Sequence, residues 1–188
     1  PKTIDNDYSG IDFTFGYFTA VDTLAEEIRN LLADAEANQS YFLAETMGRS
    51  AGWLAYGAAI AGEASFTISV EDITEKYRRE ESVTVPETGE TVTRPVMDIE
   101  QVVNRIVRTI IVRERDENKT YGVIVLAEGL AEFLPNEYLH GIDRDEHGHI
   151  SISKVNLSGL FSKLVAQAYK DQAGHERKVT GLQLGYEA

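Results

Sequence analysis

Apolar residues recur along the chain in two alternating rhythms. Val21, Leu24, Ile28, Leu31, Leu32 and Ala35 fall at three- and four-residue steps, so the spacing predicts a helix over 19–37, with Thr19 and Asp22 as a capping start. "YFLAETM" (41–47) is short, aromatic-rich and largely apolar, which fits a buried strand. A turn at Gly48-Arg49-Ser50 leads into "AGWLAYGAAIAGEA" (51–64), a helix of small residues, and "FTISV" (66–70) reads as the next strand. Ile99, Val102, Val103, Ile106, Ile110 and Ile111 mark one face of a further helix that ends in "RERDENK". "YGVIVLAEG" (121–129) is a continuous apolar run, as expected of a central parallel strand covered on both sides. A helical region near 157–171 and the alternating "KVTGLQLGY" (178–186) close the chain.

Strand and helix in alternation predict an α/β fold: three Rossmann-like layers, a mostly parallel central sheet and helices on both faces. The segment 71–98 breaks the rhythm. It is highly charged and contains "VPETGETVTRPV", a turn-centred pattern that predicts an exposed hairpin insertion.

Composition narrows the function classes. At 188 residues the chain holds one good core, and its 43% apolar content is that of an ordinary globular protein. No apolar run approaches the roughly 20 residues of a membrane-spanning helix. Cysteine is absent, which removes disulfide and thiol chemistry and fits a reducing, cytoplasmic setting. A net charge of −13 argues against a nucleic-acid or anionic-membrane surface. It leaves anionic substrates open, because a few placed cations, a helix N-terminus or Mg²⁺ can hold a phosphate in an acidic protein.

In open α/β sheets ligands sit beyond the carboxyl ends of the strands. Those ends are chemically loaded here. In "TIDND" a loop can bring Asp5 and Asp7 near one point, with Ile4 anchored inward, Thr3 offering a hydroxyl and Lys2 a mobile cation. The same spacing also fits an Asx-rich turn in which these side chains only cap backbone. At "MGRSAGW", outward-pointing amides and the Arg49 fork suit an anion, although a surface arginine beside a tight turn reads equally well. The glycines after it lack dinucleotide-binding spacing and fit close helix packing. Glu128 fits either a sugar-hydroxyl acceptor or a helix cap. In "DEHGHI" (145–150) a metal site competes with a glycine-centred turn, and the turn fits better. Trp53 and the tyrosines read as core or interface.

Taken in order, "PKTIDND", "TA" with its long helix, "ETMGR" followed by "AGWLA", "VLAEG" and "LGYE" resemble the phosphofructokinase family, nearest to its pyrophosphate-dependent branch, over nearly the whole chain. The resemblance implies phosphoryl transfer to the C1 hydroxyl of fructose 6-phosphate, with Mg²⁺ as cofactor and pyrophosphate or ATP as donor. Asp5 matches the catalytic base and Asp7 the supporting carboxylate, an indirect partner of the metal. Thr3 matches the hydroxyl that bonds the transferring phosphoryl group. Lys2 matches the lysine typical of pyrophosphate users. Met47, Gly48 and Arg49 match the sugar-phosphate loop, Glu128 a sugar-hydroxyl ligand, and Tyr186 a position near the 6-phosphate. The resemblance further implies that residues 1–188 form the second, sugar-phosphate-binding domain of a two-domain, allosteric and homo-oligomeric enzyme. The donor-binding domain, with its glycine-rich loop, would precede "PKTIDND". Ser40 and Thr180 stand where ATP-dependent bacterial relatives carry subunit-bridging arginines, and no arginine follows "GYE". An ATP-dependent enzyme and a non-catalytic regulatory subunit are the alternative readings.

Overall fold

The computed structural model describes residues 2–84, 91–139 and 155–185. Its centre is a four-stranded parallel sheet, built from β3 (Tyr41–Thr46), β4 (Phe66–Ile68), β7 (Gly122–Ala127) and β8 (Val179–Leu184) in the order β4-β7-β3-β8. β7 and β3 are therefore the inner strands. All six residues of β7 are buried, which is why its sequence is apolar without alternation.

Each inner strand feeds two cores. Val123, Val125, Ala127 and Ala44 face α1 (Tyr17–Asn38) and α2 (Trp53–Ala61). Ile124, Leu126, Tyr41 and Leu43 face α3 (Ile99–Glu117) and α4 (Leu157–Ala173). The sheet is thus sandwiched as the alternation of elements predicts. The small residues of α2 serve packing: a Cβ on Gly57 would lie 2.6 Å from the Tyr17 hydroxyl, so α2 can approach α1 only without one.

The charged insertion is an antiparallel hairpin of β5 (Arg78–Thr84) and β6 (Thr91–Met97), registered from Arg78 opposite Met97 to Thr84 opposite Thr91. Its tip lies outside the described residues. Arg94 ties it to the body, donating to Glu81 Oε2 at 2.9 Å and to the Leu134 carbonyl at 2.7 Å.

Three local expectations change. The first helix starts at Tyr17, and its N-cap is Gly16 at φ 107° with no side-chain cap, so Thr19 lies inside the first turn. The cause is β2 (Phe15–Gly16), which pairs in parallel with β1 (Lys2–Thr3) and turns straight into the helix through the left-handed glycine. Strand β4 stops at Ile68 because Ser69 caps a 3₁₀ turn, exchanging reciprocal bonds with Asp72. Trp53 is 55% exposed, whereas Tyr17, Tyr41 and Tyr169 are buried, so the core reading fits these three tyrosines and not the tryptophan or Tyr8, which is also exposed. Among the described residues no helix is long and apolar enough to cross a membrane.

Helix α4 is seated on β8 at one point of close approach. A Cβ on Gly181 would collide with the Ser158 carbonyl and approach the Gly159 amide at 2.9 Å, while Glu45 Oε2 accepts from the Ser158 amide at 2.9 Å. Gly181→Ala should therefore cost about 1–3 kcal/mol, the usual range for overpacking. Urea unfolding measures it, and an unchanged midpoint would mean that α4 shifts freely on the sheet.

Candidate active site

The opening loop is organised by a residue between the two carboxylates. Asn6 is buried at φ 54°, accepts from the Thr14 amide at 2.8 Å and donates to the Asp12 carbonyl at 3.2 Å. Thr14 Oγ in turn donates to the Thr3 carbonyl at 2.6 Å. The Asx-turn reading thus holds for Asn6, while Asp5 and Asp7 are left on either side. Ile4 packs inward against the α1–α2 core. The Asp5 amide donates to Thr3 Oγ1 at 3.2 Å, and the Thr3 hydroxyl in turn eases the charge on the Asp5 carboxylate.

The second loop follows β3. Gly48 (φ 147°) and Arg49 (φ 51°) turn the chain so that both their amides point at one atom: Glu128 Oε1, at 3.0 and 2.7 Å. Ser50 Oγ donates to Glu132 Oε1 at 2.7 Å, and the Gly52 amide donates to Glu71 Oε1 at 2.9 Å. The amides expected to point outward are therefore held by the protein's own carboxylates. Spacing alone does not reveal Glu71 or Glu132, although the Ser69-to-Asp72 capping pattern marks the turn that places Glu71. Glu128 is not a helix cap in this arrangement; its Oε1 holds the loop.

This geometry brings Arg49 to the opening loop. Its Nε lies 3.7 Å from Asp5 Oδ2, with Arg49 80% exposed and Asp5 13% exposed at the side chain. Met47 joins the same corner, its amide donating to the Leu184 carbonyl at 3.3 Å and its side chain lying against Gly185. Beside them a cleft of about 670 Å³ opens, lined by Asp7, Tyr8, Asp12, Arg49, Ser50 and Trp53 among others. Thr3, Asp5, Arg49, Gly48, Met47 and Glu128 are thus drawn together, with Asp7 close enough to act on Asp5 electrostatically. Lys2 is exposed on β1, opposite Phe15. Ser40 is buried at the other end of the sheet, and Thr180 pairs with Phe42 within it. Tyr186 and the histidines of 145–150 lie outside the described residues.

Burial pushes the Asp5 carboxyl above the ordinary aspartate range. The charge on Asp7 and, more weakly, that on Glu128 push the same way, while Arg49 and the Thr3 hydroxyl oppose them. An aspartate raised in this way is a better proton acceptor than a free one. Among the described residues no three His, Asp or Glu side chains are grouped to hold a metal ion. The carboxylates present fit Mg²⁺ only as it is commonly held by phosphate substrates, through one or two side chains and the phosphate oxygens.

The raised Asp5 carries a sign for stability. Because the folded state holds this proton more tightly than the unfolded chain does, ionising Asp5 costs stability as pH rises through its folded value. Asp5→Asn should accordingly raise the denaturation midpoint at pH 7, with the difference fading as pH falls below the unfolded aspartate value. Chemical denaturation across pH measures this, and a variant less stable at neutral pH would contradict it.

Residues 1–186 match the Phosphofructokinase family. The pyrophosphate--fructose 6-phosphate 1-phosphotransferase of Naegleria fowleri is 33% identical over 198 residues, an alignment spanning 100% of this chain and 41% of that protein. The ATP-dependent 6-phosphofructokinase of Corynebacterium efficiens is 31% identical over 185 residues, spanning 97% of this chain and 43% of its own length. Among solved structures, the Pichia pastoris phosphofructokinase in the T-state superposes with a TM-score of 0.57 at 17% identity, covering 99% of this chain and 16% of that one. The pyrophosphate-dependent phosphofructokinase of Marinobacter aquaeolei gives 0.52 at 20% identity, covering 99% and 36%. These superpositions show a shared fold. The chain spans less than half the length of the curated relatives it matches. Sequence match, sheet topology and the convergence of the "TIDND" and "MGR" loops agree: the chain belongs to the phosphofructokinase family.

Proposed function

We propose that this chain is the sugar-phosphate-binding domain of a pyrophosphate-dependent fructose-6-phosphate 1-phosphotransferase. The observation that carries the reading is the partly shielded Asp5, raised in pKa, with the Arg49 guanidinium 3.7 Å away. Phosphoryl transfer asks the protein for in-line positioning, charge neutralisation and a base, with little covalent work. Asp5 takes the proton from the C1 hydroxyl, and Asp7 sustains its basicity. The Thr3 hydroxyl turns to the transferring phosphoryl group when substrate binds, and Arg49 balances its charge. Met47, Gly48, Arg49, Glu128 and Tyr186 receive the sugar phosphate. When bound, Mg²⁺ supplies further charge neutralisation on the donor, with Asp7 beside it.

A donor-binding domain would complete the opening loop. β1 and β2 form a two-stranded parallel ribbon, an arrangement that is marginal when left in water. Phe13, Phe15 and Phe18 beside it are 55%, 75% and 60% exposed, which suits a surface covered by another domain. In this reading the isolated 188 residues turn nothing over.

Lys2 favours pyrophosphate as donor. The ATP-dependent name of the Corynebacterium relative, at an identity close to that of the Naegleria enzyme, supports ATP as the second reading. Assays of the intact enzyme with each donor and Mg²⁺ decide: faster turnover with pyrophosphate is expected, and preference for ATP would overturn the assignment. Inactivity of the intact enzyme with both donors would favour a regulatory subunit. Asp5→Ser should lower kcat by roughly 10²–10⁴-fold, with much less change in KM. Wild-type kcat in that variant would remove Asp5 from the role of base.

A further inference from the structure

Gly48 and Arg49, both at positive φ, turn two adjacent amides toward one point, an arrangement that suits an anionic oxygen. Its occupant is Glu128, whose Oε1 accepts from both amides at 3.0 and 2.7 Å. The contact joins the end of β3 to the end of β7. It is reinforced where Gly129 lies against the Arg49 carbonyl with no room for a Cβ. The turn holds a non-glycine residue at φ 51°, a conformation that a bulky side chain adopts only when its surroundings enforce it. Arg49 is 80% exposed at its side chain, so little packing fixes the guanidinium; its backbone does.

We propose that Glu128 is a positioning residue for Arg49. Through Oε1 it imposes the left-handed turn that aims the guanidinium at Asp5. Among the described residues Oε2 carries no hydrogen bond, and it is left to accept from a hydroxyl of the bound sugar phosphate. One carboxylate thereby couples sugar occupancy to the placement of the charge that meets the transferring phosphoryl group. The latch stands on the geometry alone, whereas the coupling rests on the function proposed above.

Amide hydrogen exchange at Gly48 and Arg49 in the intact protein tests the latch without any turnover. Glu128→Gln keeps an acceptor oxygen at the right distance and should retain protection within about 3-fold of wild type. Glu128→Asp keeps the charge but retracts it by one methylene, and Glu128→Ala deletes it. Both should exchange at least ~10-fold faster at these two amides. Glu132→Ala, which releases only Ser50, should leave them unchanged. Protection unaltered in both the Asp and Ala variants, or lost equally in the Gln variant, would overturn the latch. In the intact enzyme, Glu128→Asp should reduce kcat more than Glu128→Gln does, because only the former frees Arg49. Equal kcat values would overturn the coupling. A latch seen by exchange in a protein that phosphorylates no fructose phosphate would refute the proposed function and leave the latch standing.

Discussion

The site depends on one alignment, the in-register parallel pairing of β3 with β7. It matches Tyr41 to Gly122 and Thr46 to Ala127, so the two strands end together. The residues that follow, Met47 to Arg49 on one side and Glu128 on the other, must then meet. A slip of one residue would exchange the two faces of an inner strand and bury the wrong set of side chains. Because both faces are packed, by α1 and α2 above and α3 and α4 below, the register has no tolerable alternative. The core thereby sets where the Glu128 carboxylate meets the loop that follows β3.

Around that alignment the fold places charges where they weaken the folded state. Asp5 is pushed up by burial and by its acidic neighbours, and among the described residues the cation acting on it is the largely exposed Arg49. An exposed guanidinium near a carboxylate is screened by water and contributes little to stability. The arrangement suits reaction better than folding, since a carboxylate under such pressure gains by taking a proton. The same end of the sheet holds a second strained carboxylate. Glu45 is buried beneath Glu128, raised by loss of hydration and eased by the Ser158 amide and Gln183. It ties α4 and β8 to β3, the strand from which the Met47–Arg49 loop emerges.

In the opening loop an Asx turn and a pair of flanking carboxylates coexist. Asn6 turns in and closes the loop on Thr14, as an Asx turn does. That turn leaves Asp5 and Asp7 flanking a common point. The aromatic residues that follow, Phe13, Tyr17 and Phe18, stack on one another, with ring centroids 4.6 to 6.0 Å apart, at the edge of the same loop. Two of these rings remain largely open to solvent.

Much was legible from the residues by themselves. Periodicity gave the helix with its face from Ile99 to Ile111 and the helical region near 157–171, and the unbroken apolar run gave the buried central strand, because hydrophobic spacing is a local property of the chain. The motifs "TIDND", "MGR" and "AEG" gave the chemical inventory and the family. The sequence did not disclose that the amides after Met47 are already engaged, nor that Glu71, Glu132 and Asn6 hold the loops. Those partners lie from 8 to 82 positions apart in the chain, and no local pattern encodes which acceptor a turn will meet. The early start of the first helix was hidden for the same reason, since it follows from a pairing between Lys2 and Phe15. The amino-acid sequence thus determined which groups this protein has and which elements carry them. Tertiary structure alone decided which carboxylate holds the loop and which is left with a raised pKa, because that choice is made by strand register and burial.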